Sequence, residues 1–420
     1  MAEPTLFPNP LLPLHQRADA ETQAYDALEI VTTFGHPGRE YGAIHEGCGL
    51  MDLPQRGVLE LTGVDRLSFL NNLVSNVTWD TSSKKPMPAG SGVYAFFLNL
   101  RGRIVADMNI LDDGERTLVE TDIRKVELLR STWDKYLFVE KVKMTSQVGH
   151  LHSIALHGPK SEEVLRHATG SRFRLESPLA VSRVSLFGIA VTIFRDDACG
   201  VPGYQLLVPI EHAPALWTTL IERLGFTDTG KHLLRPIGWA AYNAARIEAG
   251  RPLLDIDMPS AAPDRPGAKL NPADAETAAE PANPGAGILP AETGQAARAL
   301  NYSKCYVGQE IVARMHARNA MAKQLVGIRM PSDALPIAGS PVLDAADNAV
   351  GAVTSSTVSP LLGGVAICMA YVKKPHFALG TKLRLPAEGE MREGEVVGMP
   401  FVVRGEEGTD PKSQAPMPNK

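Results

Sequence analysis

The stretch Ser303-Lys304-Cys305-Tyr306-Val307-Gly308-Gln309-Glu310 is where this sequence most plainly offers chemistry. It sets one thiol directly ahead of a helical pattern, in which Ile311, Val312 and Met315 supply the apolar spacing. Glu310 and Arg314 lie four apart and can pair along the outer side of that helix. A cysteine beside a helix N-terminus and next to Lys304 is expected to hold more of itself as thiolate, the form that attacks and binds metals. Gly308 lets the backbone approach another segment closely. The competing expectation for Cys305 is a small buried residue, the usual fate of a free cysteine. Spacing alone does not choose between them.

A second candidate is Arg246-Ile247-Glu248-Ala249-Gly250. Residues 240–249 have high helix propensity, Gly250 suits the position after a helix end, and Pro252 forbids continuation. Arg246 in the last turn complements the helix dipole. Glu248 opposes it, a local conflict of the kind found at sites. His45 has no evident partner in the sequence and is read as structural.

These residues sit in a chain of 420 residues, 44% hydrophobic and 21% charged, which is ordinary globular material with room for two or three domains. A net charge of −5 gives no general attraction to nucleic acid or to an anionic membrane. The basic cluster Arg314, His316, Arg318 and Lys323 is read as a solvated helix face. Cys48, Cys199, Cys305 and Cys368 are scattered, with no CxxC and no histidine at metal-ligand spacing, so no metal site is expected. So few cysteines fit a reducing compartment. The first residues have neither the apolar core of a signal peptide nor the composition of a transit peptide, and no apolar run is long enough to span a bilayer. A cytoplasmic protein, free of membrane and of stable nucleic-acid partners, is the expectation. No GxGxxG and no P-loop is present, which disfavours a nucleotide fold.

Strands are expected near Val58–Leu61, 92–99, 103–111, 117–120, 154–156 and 180–194, with helices after Thr62, from Ile123 to Leu137, over 159–167 and over 214–224. Antiparallel runs with interspersed helices argue for an α+β fold. Residues 25–258 are read as one region of two interleaved α+β subdomains. Residues 259–287 are Pro/Ala-rich with almost no large apolar side chains and are read as a flexible insertion. Residues 288–323 carry the cysteine motif. Short β-runs within 324–405, at 325–328, 350–355, 364–371 and 382–385, predict a small β-barrel. A disordered tail is expected over 406–420.

Cys305-Tyr306-Val307-Gly308-Gln309-Glu310, followed by Val312-Ala313-Arg314, closely resembles the KGCYxGQE motif of the YgfZ family. That family comprises folate-binding proteins with the aminomethyltransferase (glycine cleavage T protein) fold, implicated in making or repairing iron–sulfur enzymes. The motif is long and specific, with two departures: Ser303-Lys304 replaces the usual Lys-Gly, and Asn319 stands where a downstream Gly is usual. The likeness extends from an opening motif at Tyr41–Leu53, through the RxEAG-like Arg246–Gly250, to a C-terminal barrel around residues 351–372.

The resemblance implies a three-domain α+β protein that binds tetrahydrofolate or a reduced folate derivative. It implies Cys305 as the working thiol, with iron–sulfur client proteins as partners, and a monomer is expected. It implies cofactor contacts from Arg246, Glu248, Asn99, Asp107, Tyr306, Gly308, Gln309 and Glu310. In true aminomethyltransferases an NxxGGxxDD-like segment carries the catalytic acid, taken here as its first Asp. The matching segment is Asn99 to Asp107, and that position falls on Ala106, which has no proton to exchange. Asp107, one residue on, is expected to face the other way. A pterin-binding Glu of the family's GxTGEDG loop falls on Val201. The expected function is therefore a YgfZ-like role in iron–sulfur enzyme assembly or repair. An aminomethyltransferase of glycine cleavage is the first alternative, and a non-catalytic binding module for iron–sulfur proteins is the second.

Overall fold

Nine residues from Ile104 to Asp112 form a strand buried along its whole length, and the N-terminal half of the molecule is built around it. The structure is a computed structural model that describes residues 9–225, 232–264, 287–318 and 321–403. Most of the 259–287 insertion and all of the 406–420 tail lie outside the described residues. The Ile104–Asp112 strand belongs to an antiparallel five-stranded sheet, in the order Lys143–Ser146, Arg56–Thr62, Thr117–Asp122, Ile104–Asp112, Ser91–Leu98. One face of this sheet is apolar. Leu59, Leu61, Phe97, Ala106 and Met108 pack there against Leu70 and Leu73 of the helix Arg66–Leu73 and against Val126, Leu129 and Trp133 of the helix Ile123–Trp133. The helical spacing read from Ile123 onward is thus a core stripe, although the α-helix ends at Trp133 and a short 3-10 turn follows.

A second sheet of six strands runs in the order Val181–Leu186, Ile189–Arg195, Gly203–Pro209, Leu151–His157, Cys48–Asp52, Leu234–Pro236. Only the last pair is parallel. Helices Ser161–Thr169 and Ala213–Leu224 cover its outer face with Val164, Leu165, Leu216 and Leu220. The chain crosses from the second sheet to the first and back, so the two units interleave.

Ordered structure also starts earlier than Tyr25. A short helix, Leu12–Arg17, buries Leu11 fully, and its His15 shares Asp52 with His152 at 2.8 and 2.7 Å. The two imidazoles hold the Asp52 carboxyl well below its ordinary range, against a desolvation that alone would raise it. Prolines hide this helix in the sequence, although Pro13 sits in its first turn where proline is tolerated.

The C-terminal domain is a closed six-stranded barrel, in the order Lys323–Arg329, Val365–Lys373, Ala349–Ser359, Pro341–Leu343, Lys382–Ala387, Glu390–Val397. Four of the strands coincide with the expected β-runs. Pro341–Leu343 is too short to signal itself, and Glu390–Val397 is masked by charges that point to solvent while Glu393, Glu395 and Val397 alternate with more buried positions. The fold class is α+β with a C-terminal β-barrel, as read from the sequence.

Candidate functional site

Between the two sheets lies a cavity of ≈ 100 Å³. Strand periodicity builds its floor. In the Ile104–Asp112 strand, Ala106 turns to the apolar side, while Asp107 and Asn109 turn to the cavity. From the neighbouring strand Glu120 rises on the same side. It is fully buried, pairs with Nε of Arg56, and accepts from Asn109 Nδ2 at 2.8 Å. The second sheet contributes Gln205, whose Nε2 donates to Asp196 Oδ2 at 3.0 Å. Tyr94, Trp239 and Tyr242 supply aromatic walls, and Tyr25, at the end of the strand Glu21–Tyr25 that pairs with Leu28–Thr33, lines one side with its hydroxyl donating to Asp122 Oδ2 at 2.6 Å.

The cavity leaves polar atoms unspent. Asp107 Oδ2 accepts from the Tyr94 hydroxyl at 2.9 Å, but Asp107 Oδ1 is buried with no partner among the described residues. Gln205 Oε1 and Gln55 Oε1, on the same cavity, are also buried without partners. Each orphaned acceptor costs free energy on the order of 1–3 kcal/mol unless something donates to it. Burial raises the Asp107 carboxyl above its ordinary value, with the Arg56 guanidinium pulling the other way. Arg56 uses only Nε within the protein among the described residues, so the rest of its guanidinium faces this space.

Arg246 and Glu248 are placed elsewhere. Arg246 is 0% exposed and donates four hydrogen bonds to the protein: to Asp257 Oδ2 at 2.7 Å, Ser355 Oγ at 2.8 Å, Asn243 Oδ1 at 2.9 Å and the Arg251 carbonyl at 3.0 Å. Its head group pins the helix Trp239–Glu248 to the barrel and shapes the 251–257 loop. It does not reach into the cavity. Glu248 accepts from Tyr41 Oη at 2.7 Å and from Ser359 Oγ, with His45 Nε2 3.6 Å away. His45 is therefore structural, and the acid at the helix C-terminus is offset by a hydroxyl from the barrel.

The cysteine motif forms a separate feature. The helix begins at Gln309, not directly after Cys305. The thiol is exposed, with Gln309 Nε2 at 3.7 Å. Lys304 turns inward, donating to the carbonyls of Val74 and Asn76 at 2.7 Å each, and burial pulls its ammonium down to about 7. Tyr306 is buried with Phe96, Leu98 and Ile104. Glu310 is exposed and pairs with Arg314 at 2.7 Å. Gly308 has φ +79°, and a Cβ there would stand 2.4 Å from the carbonyl oxygen of Asn99. Asn99 itself is spent on its loop. Its Oδ1 accepts from the amides of Arg101 and Arg103, and its Nδ2 donates to the Ala262 carbonyl. Of the cofactor contacts implied by resemblance, only Asp107 lines the cavity; Cys305 does not.

Two family models match the chain: the GCVT N-terminal domain over residues 11–263, and the glycine cleavage T-protein C-terminal barrel domain over residues 323–402. The chain belongs to the glycine cleavage T-protein family. It is similar to an aminomethyltransferase of Saccharopolyspora erythraea, 26% identical over 400 residues, covering 94% of this chain and 98% of that one. It is 25% identical to an aminomethyltransferase of Bacillus subtilis, covering 94% and 99%. Its fold matches the glycine cleavage system aminomethyltransferase T of Bartonella henselae with a TM-score of 0.78, at 20% identity, over 95% of this chain and 98% of that one.

Within this T-protein fold, both residues taken as evidence against transferase chemistry prove to lie outside the cavity. Ala106 packs in the apolar core behind the sheet, where an ionised carboxylate would be unstable. The acid that faces the cavity is Asp107. Val201 is buried with Tyr41, Ile44 and Met51, and the side chain from this segment that reaches the cavity is Gln205. The strand thus presents a carboxylate, Asp107, to the cavity, one residue on from Ala106, on which the expected loss of the acid rested. A signal was present: Asp107 and Asn109 lie two apart in an otherwise apolar run, and Gln205 interrupts another, which marks one polar face on each strand. Gln55 and Tyr94 carried no such mark. No helix among the described residues is long and apolar enough to cross a membrane.

Proposed function

We propose that this protein binds tetrahydrofolate with its pterin ring in the central cavity and performs folate-dependent one-carbon transfer of the aminomethyltransferase type. The observation that carries this reading is the set of acceptors unspent among the described residues, Asp107 Oδ1, Gln205 Oε1 and Gln55 Oε1, on one cavity walled by Tyr94, Trp239 and Tyr242. Those residues fit a flat heterocycle with several N–H donors, which a reduced pterin is. When bound, tetrahydrofolate supplies the nitrogen that accepts the one-carbon unit. Asp107 is placed to hold or exchange a proton at Oδ1, with Oδ2 fixed by the Tyr94 hydroxyl. Its raised pKa brings it nearer to the neutral range in which a general acid or base is effective. Arg56, oriented by Glu120 and Asn109, balances the charge when Asp107 is ionised. Relatives named aminomethyltransferase, matched over nearly their full length, support the same reading.

The test is tetrahydrofolate-dependent release of ammonia from an aminomethylated lipoyl carrier. Turnover by the wild-type protein is expected, and replacement of Asp107 by Asn should lower it by roughly 10²–10⁴-fold, the usual contribution of a positioned proton-transfer group. Absence of turnover in wild type would count against transfer chemistry.

A second reading is favoured by one observation. Cys305 is the exposed member of four cysteines, on a loop away from the cavity, while Cys48, Cys199 and Cys368 are buried. In this reading the folate site serves a protein that supports iron–sulfur enzyme assembly or repair, with Cys305 as its working thiol. Complementation of cluster-enzyme activity in a deletion strain, lost on Cys305→Ser, would favour it over the transferase.

A further inference from the structure

Lys304 carries its amine inward while the thiol that follows it stays exposed. Its Nζ lies 2.7 Å from the carbonyl oxygen of Val74 and 2.7 Å from that of Asn76. Those acceptors belong to a segment fixed on both sides. The Ser75 amide donates to the Phe96 carbonyl at 2.9 Å, and the Phe96 amide donates to Ser75 Oγ at 2.8 Å. Asn76 Nδ2 donates to the carbonyls of Tyr94 and Arg298 at 2.9 Å each. Facing the cysteine loop, the Ser75 carbonyl accepts from the Asn301 amide at 2.8 Å. Asn301 is thus a fixed point of the loop, and Lys304 clasps the loop again just before Cys305.

The donor count at this clasp favours one protonation state. A neutral amine has two N–H groups, and two carbonyls receive them. An ammonium has three, and the third finds no protein acceptor among the described residues. Lys304 makes no ion pair among them either. The ionisable groups of the surrounding elements are Cys305, the phenols of Tyr302 and Tyr306, Arg298, whose guanidinium lies over the Tyr94 ring, and Glu310, which pairs with Arg314. Burial favours the neutral amine and brings the group to about 7, with Cys305 pulling the other way.

We propose that Lys304 is a positioning residue for the loop that presents Cys305: docked as a neutral amine on Val74 and Asn76 it holds residues 303–305 in place, and protonation releases them. A docked amine that gives up its proton more readily than one in water is favoured in alkali. The clasp is therefore firmest above about 10.4, the value of a free lysine, weakens as pH falls toward about 7, and changes no further below it.

Hydrogen exchange of the full chain, read by mass spectrometry across this range, tests the clasp. Protection of peptides spanning residues 301–308 is referred to the exchange rate of an unfolded chain at each pH. In wild type it should fall on the order of ten-fold between about pH 8.5 and about pH 6.5. Peptides from the Ile104–Asp112 strand should show no such change. Lys304→Gln keeps two N–H donors on a side chain that does not titrate, so its loop should be equally protected at both pH values. Lys304→Met offers no donor, and its loop should be poorly protected at both. Wild-type protection that does not change with pH, or a change of the same size in Lys304→Gln, overturns the proposal. If a variant fails to fold, the wild-type contrast between loop and strand decides alone.

Discussion

Two polar clusters begin from opposite ends of one short segment, residues 99–107, and they are built on opposite plans. At its strand end, Asp107 faces a cavity in which Asp107, Gln205 and Gln55 each keep one acceptor unspent. At its loop end, Asn99 and Gly102 are packed against Gly308 and Ile311, Asn99 Oδ1 is spent on the amides of Arg101 and Arg103, and Lys304 of the cysteine loop is spent on the carbonyls of Val74 and Asn76. The first arrangement stores an unfavourable desolvation that a ligand can relieve. The second is a rigid mount that presents one exposed thiol. The lesson is that motif density and chemical readiness need not coincide. The densest motif supplies scaffolding around Cys305, whereas the residues with unsatisfied chemistry are scattered across Gln55, Asp107 and Gln205.

The comparison can be broken most forcefully at Asp107. Its pKa is raised by burial, so the native state holds the proton more firmly than the unfolded chain. The stability of that carboxyl is fullest in acid and falls as pH rises from the unfolded value, about 3.9, through the raised native value. Asp107→Asn should therefore melt higher than wild type near neutral pH, with the gain disappearing below about pH 4. A variant that melts lower at pH 7, in scanning calorimetry across pH, would show that the carboxylate is a structural anchor.

Arg246 is the next largest test, and in the opposite direction. Its removal leaves Asp257 buried without its cation, and breaking one partner from such a pair costs about 3–5 kcal/mol. Urea denaturation of Arg246→Ala should show a loss of that size. A loss under about 1 kcal/mol would return Arg246 to the ligand side of the account.

The sequence carried the fold further than the site. The stripe at Ile123, Val126, Leu129 and Trp133 and the β-runs of the barrel are periodic signals, and periodicity is what burial writes into a sequence. The helix at Leu12–Arg17 and the strand Pro341–Leu343 were not legible because both are short and stabilised by distant contacts. The site was harder. Arg246 and Glu248 form a recognisable motif, yet their partners, Asp257, Ser355, Ser359 and Tyr41, come from three other places in the chain. Whether a motif residue points at a ligand or at its own fold depends on those partners. Asp107 was legible as an acid, but what it can touch depends on which face of the strand it takes, and a one-residue offset reverses that.

Two smaller effects sharpen the view of the cysteine loop as a mount. Gly308→Ala adds a Cβ at φ +79° against the Asn99 carbonyl and should cost about 1–3 kcal/mol in thermal unfolding. Cys305→Ser should change stability by no more than about 0.5 kcal/mol, since the thiol is exposed. Of the four cysteines, Cys305 should be alkylated first in the native protein, because burial pushes Cys48 and Cys368 up to about 12 and raises Cys199 as well. Equal alkylation rates would mean that the buried positions open readily.

The central claim is that the cavity around Asp107, and not the cysteine loop, recognises the folate ring. Calorimetric titration with tetrahydrofolate on wild type, Gln205→Leu and Cys305→Ser tests it most directly. The account predicts that wild type and Cys305→Ser bind alike, whereas Gln205→Leu loses on the order of ten-fold in affinity, one buried hydrogen bond. Loss of binding in Cys305→Ser with Gln205→Leu unaffected would contradict it.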